Sequence, residues 1–180
     1  MSDQPDAATA TATRVWLLAS IAGVVLVADI ITKTIAVAQL EGQDPIPILG
    51  GLIYLQLLRN PGAAFSMATG FTWILTVIAI GVVFVIIRVA RRLRSTGWAV
   101  ALGLVLGGAL GNLIDRIFRA PGPLQGHVVD MVSPFAPNGE AFAVFNLADA
   151  SISCGGVLLV LLALMGRELD GGRPRKTADE

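Results

Sequence analysis

Asp130 and Asp149 stand where a carboxylate is least at home. Asp149 lies in AVFNLADASI (143–152), the opening of an apolar run that continues through CGGVLLVLLALMG. Asp130 lies in HVVDMV, flanked by Val128, Val129, Met131 and Val132. A carboxylate inside a membrane-spanning helix costs roughly 2.5–3.5 kcal/mol on insertion scales, so a chain that keeps one there has a use for it. The segment between the two carries Pro134, Pro137 and Gly139 and is long enough to fold back and bring them together. Two carboxylates sharing a partly desolvated site do not easily both ionise, and one keeps its proton near neutral pH. The charged member can take a proton from water while the protonated one polarises a carbonyl. That is the chemistry of an aspartic peptidase, and it needs no metal, serine or cofactor. Paired acids in a membrane also mark small proton-coupled carriers. Spacing alone leaves both readings open.

Other polar residues gather around the pair. Asn146 precedes Asp149 by three residues and is placed to share a helix face with it. In GLVLGGALGNLIDR (103–116), Asn112, Asp115 and Arg116 are also spaced for one face. An amide such as Asn112 both donates and accepts toward a peptide backbone. Asp115 and Arg116 fit either a buried structural pair or a substrate contact. Asp29 and Lys33, four apart, can pair on the first helix, and Asp29 is equally placed for the edge of the site. Ser66, Ser151 and Ser153 have no evident base, so serine chemistry fits poorly. His127 reads as a loop residue making a hydrogen bond, and Cys154 as ordinary helix packing. One cysteine excludes an intramolecular disulfide, and one histidine argues against a Cys/His zinc site.

The elements that must carry these residues are membrane helices. Of the 180 residues, 54% are hydrophobic and 14% charged, too few polar groups to cover a soluble core. Mean hydropathy is +0.74. Residues 71–87 and 97–114 hold no charge, and 141–166 hold only Asp149. About 20 residues cross a hydrocarbon core of about 30 Å. The expected architecture is an all-α polytopic membrane protein of four transmembrane helices, at about 14–39, 70–90, 97–118 and 142–166, with a small extracytoplasmic β-containing loop region. Its strand is expected at 52–58, ahead of the Asn60-Pro61-Gly62 turn signal. Gly103, Gly107 and Gly111 recur every four residues, a strip for close helix packing. Residues 14–168 then form the membrane domain, and 1–13 and 169–180 read as disordered cytoplasmic tails. The first helix is expected to be a retained anchor, because residues 1–13 lack the basic start of a secretory signal. Charge is balanced, thirteen Lys and Arg against thirteen Asp and Glu, which gives no argument for nucleic acid. Arg88, Arg91, Arg92 and Arg94 fill one link, and Arg167, Arg173, Arg175 and Lys176 follow the last helix. The positive-inside rule puts both termini in the cytoplasm and the Asp130/Asp149 end near the outer face.

Five blocks in order, DIITK (29–33), NPGAAF (60–65), GGALGNLIDR (107–116), GHVVDM (126–131) and VFNLADASI (144–152), make the chain closely resemble signal peptidase II, the prolipoprotein signal peptidase of bacteria. The resemblance covers about 14–166. It implies an aspartic endopeptidase of the bacterial cytoplasmic membrane that removes signal peptides by cutting before a diacylglyceryl-modified cysteine. Carried over block by block, the catalytic pair falls on Asp130 and Asp149. Asn60, Gly62, Asn112, Asp115, Arg116, Asn146 and Ala148 fall on site-lining positions. Asp29, Lys33 and Gly108 fall on structural positions at the site's edge. The resemblance further implies prolipoproteins and membrane lipids as partners, inhibition by the cyclic peptide globomycin, and no cofactor or metal. A monomer is expected, since four helices contain all the parts.

Overall fold

The computed structural model describes residues 7–62 and 72–171, with side chains from Arg14 onward. Residues 1–6 and 172–180 of the tails, and Ala63, Ala64, Phe65 and Ser66 in and after the NPGAAF block, lie outside the described residues. Four helices, α1 (Ala7–Leu40), α2 (Thr72–Ala90), α3 (Thr96–Phe118) and α4 (Leu147–Leu164), are long and apolar enough to cross a membrane. Three short strands, β1 (Ile46–Ile48), β2 (Ile53–Asn60) and β3 (Val128–Pro134), form one antiparallel sheet in the order β1-β2-β3. The strand expected at 52–58 is thus present, and it pairs with the segment that carries Asp130, Leu58 standing opposite Asp130 and Asn60 opposite Val128.

α3 is the central helix, and half of its apolar window is buried, against about a fifth in each of the other three. The reason is its composition. Gly103 and Gly107 lie against α1, where a side chain would strike Ile21, Val25 and the carbonyls of Leu18 and Ala22. Gly108 lies against α4, where a side chain would run into the Ala148 carbonyl and Ile152. With no hydrophobic effect between helices in lipid, such close backbone approach is what holds them. The glycines therefore seat α1 and α4 side by side on α3, and at Gly111 both helices meet it, through Asp29 and Ala148. Away from the sheet, Leu18, Ala22, Ile86, Ala90, Leu93, Ala99, Leu102 and Leu106 fill the core, while Trp16, Val24, Val27, Phe84, Val157 and Leu164 face outward as a lipid-facing surface would. Gly108→Val is expected to destabilise by about 1–3 kcal/mol, the range for overpacking. The Ala148 carbonyl cannot yield without moving α4. Thermal unfolding in detergent reads the loss.

Two boundaries differ from expectation. α1 begins at Ala7, ahead of residue 14, through a stretch rich in alanine, the best helix former. α4 begins at Leu147 instead of 142, because Phe145 bridges to Val132 beside β3, exchanging backbone hydrogen bonds with it. The run 141–146 is therefore non-helical chain, which ties α4 to the sheet at Phe145.

Candidate active site

Asn146 is the pivot of the site. It caps the N-terminus of α4: its side-chain oxygen accepts the Asp149 N–H at 3.0 Å, while its own N–H donates to Asp149 Oδ2 at 3.2 Å. This reciprocal capping box satisfies two helix-end donors and fixes the Asp149 carboxylate at the first turn. The same Asn146 donates through Nδ2 to Asp130 Oδ1 at 2.7 Å. One residue thus holds both aspartates. Asn60, at the end of β2, donates to Asp130 Oδ2 at 2.8 Å, and its Oδ1 accepts the Gly62 N–H at 2.8 Å. Gly62 has φ +107, a conformation that suits glycine and closes this turn. Asn112 donates to Asp149 Oδ1 at 2.7 Å. Asp130 is fully buried, whereas Asp149 is half-buried and lines a pocket. Burial pushes the Asp130 carboxyl up to about 7, and the nearby Asp149 adds to that, outweighing the hydrogen bonds from Asn60 and Asn146 and the Lys33 charge.

Beneath the pair lies a buried ionic cluster. Lys33, 1% exposed, places its ammonium 2.7 Å from Asp29 Oδ2, 3.0 Å from Asp115 Oδ2 and 3.0 Å from Asn112 Oδ1. The expected Asp29–Lys33 pair is present, but Asp115 does not pair with its neighbour Arg116. Its partners are Lys33 and Arg119, one turn on, whose Nε donates to Asp115 Oδ1. Asp115 and Arg116 point to different sides of α3 because successive helix residues diverge by about 100°. Arg116 lines a second pocket, of about 260 Å³, with Asn112, Ile152 and the α2 residues Leu75, Ile78, Ala79 and Val82. Ala148 is fully buried between Asp29, Gly108 and Gly111.

The first pocket, about 460 Å³, is walled by Asn60, Phe142, Ala143, Val144, Phe145, Asp149, Ala150, Ser153 and Cys154. Cys154 therefore faces this opening and is exposed, where ordinary helix packing was expected. Its neighbours Ser153 and Phe142 carry no sequence signal of their own. Arg119 was also missed, although its four-residue spacing from Asp115 fits a helix ion pair. The site thus gathers Asp130, Asp149, Asn60, Gly62, Asn112, Asp115, Asn146 and Ala148 at the sheet end of the bundle. Asp29, Lys33 and Gly108 lie in the layer behind, and the Arg116 guanidinium reaches in beside Gly62 from the neighbouring pocket.

Comparison with known proteins bears on the whole of this region. The family model for signal peptidase (SPase) II matches residues 21–165. A lipoprotein signal peptidase of Rhodococcus jostii (strain RHA1) is 58% identical over 160 residues, covering 89% of this chain and 78% of that protein. One of Mycobacterium avium (strain 104) is 50% identical over 184 residues, covering 100% of this chain and 98% of that protein. Among solved structures, a bacterial membrane enzyme determined by the in meso method at 2.3 Å resolution is similar with a TM-score of 0.69 and 27% identity, over 89% of this chain and 91% of that one. A family match across the four helices, the sheet and both aspartates means that this chain belongs to the signal peptidase II family.

Proposed function

We propose that the chain, a multi-pass membrane protease that acts on prolipoproteins, cleaves their signal peptides with Asp130 and Asp149 as an aspartic dyad, cutting before a diacylglyceryl-modified cysteine. One observation carries the assignment: Asn146 holds both carboxylates at once, while Asp29 and Asp115, the other buried carboxylates among the described residues, are paired with cations. Asp149, which faces the pocket, takes the proton from water. Asp130, sealed and proton-bearing, polarises the scissile carbonyl, which must replace the Asn60 amide now on Asp130 Oδ2. The freed Asn60 amide and the Arg116 guanidinium bind the substrate backbone, with Gly62 leaving it room, while Asn112 stays on Asp149 and Ala148 sets the packing behind it. One pocket, rich in Phe142, Val144 and Phe145, reaches Asp149, and a second, lined by α2 and α3, reaches Asn112 and Arg116. Apolar walls of this kind suit a lipid-bearing cysteine and the apolar peptide before it.

In this reading residues 14–168 are the catalytic unit, working as a monomer in the bacterial cytoplasmic membrane and blocked by globomycin. Arg14 and Arg94 meet at the end of the bundle away from the sheet, where Trp98 also bonds the Arg167 carbonyl. The positive-inside rule makes that end cytoplasmic and the dyad end outer. A proton-coupled carrier has no support in the family match.

Cleavage of a diacylglyceryl-modified prolipoprotein peptide in detergent micelles, followed against pH, tests the proton assignment. Catalysis needs one proton on the pair, so kcat/KM should fall on the alkaline side with a midpoint near 7, as Asp130 ionises. Stability has a matching sign. An Asp130 carboxyl raised from 3.8 to about 7 gives up its proton more readily in the unfolded chain. Its contribution is complete below the unfolded value and lost as pH rises through 7. Melting temperature should therefore be higher at pH 5 than at pH 8. A rate that stays flat to pH 9 would assign the proton elsewhere.

A further inference from the structure

We propose that Lys33 is a positioning residue for the peptidase reaction, a buried cation that sets the placement of Asp130 and Asp149 relative to one another. The proposal rests on the assignment of those two residues as the dyad. The Lys33 ammonium donates to Asn112 Oδ1 and lies within ion-pair distance of Asp29 Oδ2 and Asp115 Oδ2, so three polar groups converge on it. Each of them continues to the dyad. Asp29 Oδ1 accepts the backbone N–H of Ala148 at 3.0 Å, the residue immediately before Asp149. Asp115 Oδ2 accepts the backbone N–H of Val129 at 3.2 Å, the residue immediately before Asp130. Asn112, with its oxygen on the ammonium, turns its amide nitrogen to Asp149 Oδ1. A single cation from α1 thereby ties the start of α4 to strand β3.

Charge neutralisation alone does not require this arrangement. Asp29 would balance Lys33 from one turn back on the same helix, and Arg119 already faces Asp115. What the second carboxylate and the amide add is a fixed distance between two elements that are far apart in sequence. In a two-carboxylate site, a displacement of a fraction of an ångström changes both proton sharing and attack geometry.

The test measures kcat and KM on the lipid-modified peptide in micelles, per folded molecule, for Lys33→Met combined with Asp29→Asn. This double variant keeps the buried charge balanced, because Asp115 retains Arg119, and the amide introduced at position 29 can still accept from Ala148. Gly103→Ala, which strains the α1–α3 contact away from the site, is the control for general loosening, and Asp130→Asn and Asp149→Asn are run beside it. Positioning predicts that kcat of the double variant falls at least about tenfold while KM stays within about threefold, with Gly103→Ala keeping its kcat. A double variant with wild-type kcat, or a Gly103→Ala enzyme that loses as much, overturns the proposal while leaving the dyad in place if both aspartate variants are dead. Cleavage by either aspartate variant instead removes the dyad assignment, and the proposal with it.

Discussion

Asp149→Asn and Asp130→Asn should each lower kcat by at least about 10³-fold, within the range that a positioned acid or base contributes, with little change in how tightly the lipid-modified peptide binds. Asparagine keeps the shape of the side chain, so the capping box at Asn146 and the contacts from Asn60 and Asn112 lose single hydrogen bonds and not the fold. What it cannot do is exchange a proton. At position 149 it leaves the pocket without a base for water, and at position 130 it leaves the carbonyl without an acid. Because the two act as one proton-sharing unit, the double variant should be scarcely slower than either single one. Purified proteins assayed in micelles, with binding measured separately by competition, decide it. A near-wild-type rate in either single variant means that the reaction does not use the pair.

The proposed dyad was legible in the sequence because both aspartates sit among residues that repel charge. Its framework was less so. VVDMVSP shows no clean alternation, since β3 is covered on both faces: Val128 to Met131 are all buried, so the period of a half-exposed strand is absent. Only its pairing with β2 makes it a strand. α4 starts later than its hydrophobicity suggests because 141–145 is as apolar as the helix that follows. Asn146 followed three residues later by Asp149 was the signal for the true boundary, a capping pattern hidden by hydrophobicity. The three-way use of Lys33 could not be read from spacing at all. Asp29 is one turn away on the same helix, but Asp115 and Asn112 reach it only because Gly107 and Gly111 let α1 and α3 approach so closely.

That closeness makes Lys33→Met the most damaging single change to stability, expected to cost about 3–5 kcal/mol, the range for stripping a buried charge of its partner. Asp29 and Asp115 are 0% and 3% exposed, so neither can recover its solvation in place. Methionine fills the volume but leaves two carboxylates facing each other with Arg119 as the remaining cation. The sign of the second-site effect separates charge from packing. If the cost is electrostatic, adding Asp29→Asn should restore most of the lost melting temperature, because it removes the carboxylate that Lys33 alone neutralised. If the cost were a packing defect, the second substitution would add to the first. Unfolding in detergent for the single and double variants distinguishes the two, and an unrestored double would mean that Lys33 stabilises the bundle through its methylene stem and not its charge.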